Sequence, residues 1–145
     1  MFRRLGDEKG QDLVEFALIA SLLFLLIFGI IDLGIVVWNY NTIANAAREG
    51  ARYGIIASHV DCGDPADEDR CVGEMKNRVY RLTTGLDQDP DRLQCTCTHI
   101  SDPVSGMKMV QVVVTYDAQL ITGPVFEAVG VPAITLRTAA TMQRE

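Results

Sequence analysis

Cys95, Cys97 and His99 alternate along one stretch of the chain, the spacing that puts three soft ligands on one side of a β-strand. With His59 or Cys62 they compose a conceivable metal set, but the spacing matches no zinc pattern. Asp87, Asp89 and Asp91 imitate the first three ligand positions of a calcium loop. The sixth position is Arg92 where that loop needs glycine, and the twelfth is Thr98 where it needs a bidentate glutamate, so the match fails where geometry is most demanding. The acidic run from Asp64 to Asp69 reads as a solvated loop. With two histidines, no Gly-x-Ser-x-Gly elbow and no phosphate loop, the chain offers no catalytic constellation, and we expect neither an enzyme nor a cofactor.

A different residue asks the sharper question. Glu15 stands at the threshold of a long apolar run, where a carboxylate is costly. From Phe16 to Trp38 the only charge is Asp32. At about 1.5 Å per residue such a segment crosses the hydrocarbon, and we take residues 13–38 as the span. Leu, Ile, Val and Phe surround the helix, so no polar stripe marks a soluble amphipathic helix. Asp32 lies about 24 Å along the axis from Phe16. Two readings stay open for it: a place near the outer headgroups, or a polar contact with a neighbouring helix.

Arg3, Arg4 and Lys9 precede the span, which favours a cytoplasmic N-terminus with the rest outside. The 145-residue chain has net charge −6. Its acidic outer part carries no basic stripe, so we expect no nucleic acid. All four cysteines, Cys62, Cys71, Cys95 and Cys97, fall beyond the span, where an even count reads as disulfides. Alternate residues on a strand lie about 6.6 Å apart, at the upper edge of disulfide reach. A Cys95–Cys97 bond is therefore disfavoured. We expect Cys62 and Cys71 each to bond one of Cys95 and Cys97, in either order, stapling the acidic loop over the sheet.

The helical pattern continues past the span through Ile43, Ala46, Ala47, Gly50, Ala51 and Gly54. Gly50 and Gly54 lower helix propensity but permit another backbone to approach. One helix from about Asp12 to Ile56 follows. A polar loop comes next, then a short helix near 71–84 with Gly85 as its C-cap. Strands are expected at 92–100, 107–117 and 133–142, the first two forming an antiparallel hairpin through Ser105-Gly106. The fold class is α+β: a long N-terminal helix on a small antiparallel three-stranded sheet with a short extra helix. The segment from Leu120 to Pro132 is too apolar for an idle loop, and core packing and subunit contact both remain open for it.

These residues also carry a resemblance. Gly10-Gln11-Asp12-Leu13-Val14-Glu15-Phe16-Ala17 resembles the processing site of type IV prepilins. With Gly29-Ile30-Ile31-Asp32-Leu33-Gly34, Asn45-Ala46-Ala47-Arg48-Glu49-Gly50-Ala51-Arg52-Tyr53 and, more loosely, Leu136 to Met142, the pattern is similar to the TadE-like pseudopilins of the tight-adherence (Tad/Flp, type IVb) pilus system. That resemblance implies a leader, 1–10, cut by a prepilin peptidase between Gly10 and Gln11. It implies a long helix, 11–57, and an extracytoplasmic head, 58–145. Glu15 would pair with the new amine of a neighbouring subunit and set axial register, and Gly29, Asp32, Gly34, Gly50 and Gly54 would serve helix contacts. Methylation, common on a first mature Phe, is in doubt at Gln11. The implied partners are the peptidase, other pilin subunits of the same or another kind, an inner-membrane assembly platform and membrane lipid. A major filament subunit, or a single-pass anchored binding protein in the inner membrane, is the alternative.

Overall fold

The structure is a computed structural model that describes residues 8–56, 68–101, 108–128, 130 and 134–144. Helix α1 runs from Glu8 to Ile56 without a break. Its first stretch is leucine, isoleucine and phenylalanine on every side, and from Gly10 to Ile31 almost every residue is exposed. From Asp32 onward one face is buried: Asp32, Asn39, Ile43, Ala46, Ala47, Gly50, Ala51 and Gly54. Spacings of three, four and seven keep these residues on one stripe of the helix. The hydrophobic pattern thus changes from all-round to one-sided where the head begins.

Helix α2, Glu68–Leu82, presents Cys71, Met75 and Val79 to the same core, again at intervals of four. It starts three residues before the expected boundary. Strands β1 (Leu93–Ser101), β2 (Lys108–Ala118) and β3 (Ile134–Arg144) form one antiparallel sheet in the order β1-β2-β3. The registers are continuous, from Leu93 opposite Tyr116 to Ser101 opposite Lys108, and from Lys108 opposite Arg144 to Ala118 opposite Ile134. Alternation sends Leu93, Cys95, Val110, Val112, Val114 and Tyr116 under the helices, while Thr96 and Thr98 of β1 stay outside. The result is a two-layer α+β head built onto the outer half of α1, as the sequence pattern predicts. The Ser105-Gly106 connection lies outside the described residues.

One local expectation changes. Gly85 does not adopt the left-handed conformation of a helix C-cap, since Gly130 is the glycine with positive φ among the described residues. Instead α2 ends when the Thr83 hydroxyl bonds back to the carbonyls of Val79 and Tyr80. Gly85 serves close approach: a Cβ there would lie 2.9 Å from the Trp38 ring, which packs over it. The apolar segment after β2 is neither an idle loop nor a strand, but a turn at 121–122 followed by a six-residue helix, α3, Gly123–Ala128.

Candidate functional site

The residues that the sequence singles out fall on α1 in two groups. Gly10, Gln11 and Glu15 lie near its start and are exposed in the isolated chain. Gly29 and Gly34 lie farther along, with nothing within 4 Å of a Cβ built on either. Among the described residues no part of the head approaches a side chain built at these two glycines.

Gly50 and Gly54 form the contrasting group. A Cβ on Gly50 would meet Val79 Cγ2 at 2.7 Å, and one on Gly54 would meet Met75 Sδ at 2.5 Å and Val110 Cγ1 at 3.0 Å. Here the missing side chains let α2 and the sheet settle against the α1 backbone. The rim of this contact is polar. Tyr53 donates its hydroxyl to Glu74 at 2.8 Å, and Arg78 reaches Glu49 at 3.4 Å. The hydrogen bond to the Glu74 carboxylate disfavours the Tyr53 phenolate, so the hydroxyl pKa is raised. Tyr53, Glu74, Asn77, Arg78 and Arg81 line an open cleft of about 250 Å³ between the helices.

Asp32 has partners that sequence reasoning did not find. Its Oδ1 accepts the Ile121 amide N–H at 2.8 Å, its Oδ2 accepts the Thr122 amide at 3.1 Å, and the Thr122 hydroxyl donates to Oδ2 as well. The residue is 6 % exposed. A buried charge needs such donors, and charge-assisted bonds are the stronger kind. Of the two sequence readings, a contact with a neighbouring helix is not what occupies it in the chain alone: the residue ties α1 to the turn that opens α3. The available signal was weak, a lone acid in an apolar helix and a Thr-Gly-Pro helix start some ninety residues away.

The cysteines correct an expectation. Cys71 is buried and disulfide-bonded, whereas Cys95 and Cys97 are free. The expected staple joining Cys71 to the strand is therefore not formed, and Cys62 lies outside the described residues. The β1 register has no bulge, so alternation places both strand thiols on one side, where their sulfurs sit 3.9 Å apart, too far for a bond. The Cys95 S–H contact with Cys97, together with the Lys76 ammonium, lowers the Cys97 pKa. That same contact, burial and the neighbouring thiolate raise the Cys95 pKa.

Among the described residues no group of three or more histidine, cysteine or acidic side chains is placed to hold a metal ion. Asp87 and Asp89 instead accept the backbone N–H groups of Asp89 and Asp91, and Arg92 bridges to Asp87 at 3.6 Å. These are turn-forming contacts. His59 lies outside the described residues.

No curated protein and no solved structure matches the chain. One family model does, and it spans Gly10, the exposed apolar stretch, Asp32 and the first of the packed glycines, Gly50. Residues 10–52 match the model of the TadE-like protein family, so over this stretch α1 is similar to that family.

Proposed function

We propose that this chain is a pilin-like structural subunit, a minor pilin or pseudopilin, that takes part in assembling a Tad/Flp-type surface filament. The observation that carries the reading is the division of α1. Its family-matched helix is bare from Gly10 to Ile31 and without charge from Phe16 to Ile31, then turns one face into a folded head. The exposed part suits a membrane before assembly and neighbouring helices afterwards, because lipid and packed helices are equally apolar surroundings.

In this reading a prepilin peptidase cuts after Gly10, with the N-terminus in the cytoplasm and the head outside the inner membrane. Gln11 then carries the new amine, and Glu15 pairs with the amine of an adjacent subunit. An unpaired carboxylate in lipid is expensive and a paired one specifies register. The assembly platform and other pilins, of the same or a different kind, are the partners.

The test is the mature N-terminus. Intact-mass analysis of the protein from its native membranes should find Gln11 first, and retention of residues 1–10 would overturn the processing. For register, Glu15→Ala should insert and be cut normally but enter filaments poorly, and wild-type incorporation would remove the pairing. The cleft between α1 and α2 is what favours the second reading, an anchored binding protein. An uncut N-terminus would put that reading ahead.

A further inference from the structure

We infer that the turn at Leu120–Thr122 and the start of α3 form a membrane-seated shoulder of the head, lying in the outer interface beside the emerging helix, with a lipid surface as its occupant. The inference rests on α1 crossing a bilayer, and goes beyond it by placing a second, distant part of the chain in the same membrane.

Depth comes first. From Gln11 to Ile31, α1 is about 31 Å long, close to the thickness of a bilayer's hydrocarbon. Burial against the head begins at the next residue, Asp32. Counted from Gln11, that thickness ends short of the 13–38 span read from the sequence, and with burial setting in here the inference places the outer boundary of the hydrocarbon near Asp32. Ile121 and Thr122 are joined to that carboxylate by direct hydrogen bonds from their backbones, so they share its level.

Surface chemistry comes second. The Ile121 side chain is 57 % exposed, and Pro124 is exposed close by. A segment kept in water usually carries charge, yet none occurs from Ala118 to Phe126, a stretch that includes the run Leu120-Ile121-Thr122-Gly123-Pro124-Val125-Phe126. On α1 the apolar surface continues at the same height through Ile31 and Leu33, which are 43 % and 64 % exposed. The shoulder thus extends an apolar surface that already faces lipid.

Backbone satisfaction comes third. A loop near hydrocarbon cannot leave its amides to water, because each bare N–H there is costly. Asp32 accepts the amides of Ile121 and Thr122, its Oδ2 accepts the Thr122 hydroxyl, and the Gly123 amide bonds to the Leu120 carbonyl. Four donors of the turn are met inside the protein. An acid in the apolar helix therefore acts as the acceptor that lets an irregular loop sit at this depth.

The experiment uses the full chain in phosphatidylcholine vesicles, with Trp38→Phe removing the native indole and one tryptophan introduced at a time. Ile121→Trp and, as an independent second probe, Pro124→Trp report on the shoulder. Phe24→Trp reports on the span and Gln88→Trp on the exposed head. Nitroxide lipids labelled shallow or deep in the acyl chain, and aqueous iodide, serve as quenchers. The inference expects loss of emission at 121 and 124 with shallow nitroxide, less loss with the deep label, and weak quenching by iodide. Position 24 should lose most with the deep label and position 88 only with iodide. Iodide quenching at 121 and 124 matching that at 88 overturns the shoulder while leaving the anchor intact. Protection from both lipid and iodide means that another protein copy covers the site, and this also overturns it. Failure of lipid quenching at 24 removes the membrane reading itself, and the shoulder with it.

Discussion

The two halves of α1 are one helix with two kinds of glycine. Before Asp32, Gly29 has no neighbour, and Gly34 is equally bare two residues beyond it. Farther out, Gly50 and Gly54 are pressed against Val79 and Met75. The residue type is the same and so is the helical backbone, so the difference is in what each glycine meets. The outer pair is spent on folding the chain against itself. The inner pair meets no described residue of the chain, and in the proposed reading that bare face is kept for assembly. Asp32 marks the changeover, as the residue through which the head first grips the helix.

The strongest way to break this contrast is to fill the outer pair. Gly50→Leu places a branched side chain where even a Cβ lies 2.7 Å from Val79 Cγ2. Overpacking of this kind costs about 1–3 kcal/mol, and the small gain in helix propensity offsets only part of it. The head of the full chain in detergent should unfold at visibly lower temperature. Unchanged thermal unfolding by circular dichroism would mean that α2 does not depend on the missing side chain.

Next in size is the joint. Asp32→Ala strips the acceptor from the Ile121 and Thr122 amides. Losing a charged partner of this kind costs about 1–3 kcal/mol. Hydrogen exchange at those two amides should accelerate, while exchange in the sheet stays slow. Thr122→Val, which removes one hydroxyl bond and keeps both amide bonds, should lose about 1 kcal/mol at most. If the two variants behave alike, the backbone bonds are not what holds the turn.

These effects also show why the sequence was uneven as a guide. The three strands and both main helices were legible, because Leu93, Cys95 and Cys97 alternate and Met75 and Val79 recur by four, and periodicity is a local property. Gly50 and Gly54 were legible as contact glycines for the same reason. The partners of Asp32 were not. Ile121 and Thr122 lie about ninety residues away, and their contribution is mostly backbone N–H, which every residue but proline carries. The fate of the cysteines was misread because reach excludes a Cys95–Cys97 bond without showing what α2 brings near the strand. Gly85 was misread because a glycine after a helix suits both a C-cap and a close approach, and the Trp38 ring decided between them.

The thiol pair tests the head side more gently. Cys97 has its pKa lowered by the S–H of Cys95 and by Lys76, while Cys95 has its own raised. A lowered thiol pKa means that thiolate is already present at a pH where an ordinary cysteine is still protonated. Iodoacetamide labelling of the folded chain should therefore modify Cys97 first and at lower pH, with Cys95 following only after unfolding. Lys76→Gln should move the onset for Cys97 to higher pH. Equal labelling of both thiols across the pH range would mean that the pair is not coupled in solution.

The smallest expected effect is also the most discriminating. Gly34→Ala adds a methyl group where nothing lies within 4 Å. Within the chain it should cost nothing and return up to about 1 kcal/mol of helix propensity. Head unfolding in detergent should be unchanged or slightly later than wild type. Self-association is where the substitution should register, because a methyl at a close helix crossing keeps the backbones apart. Cross-linking of the full chain in bilayers, compared with Gly29→Ala and with the double variant, reads this directly. Should Gly34→Ala destabilise the head and leave association untouched, the glycine belongs to the fold after all, and it cannot be grouped with Gly29 as a surface kept for assembly.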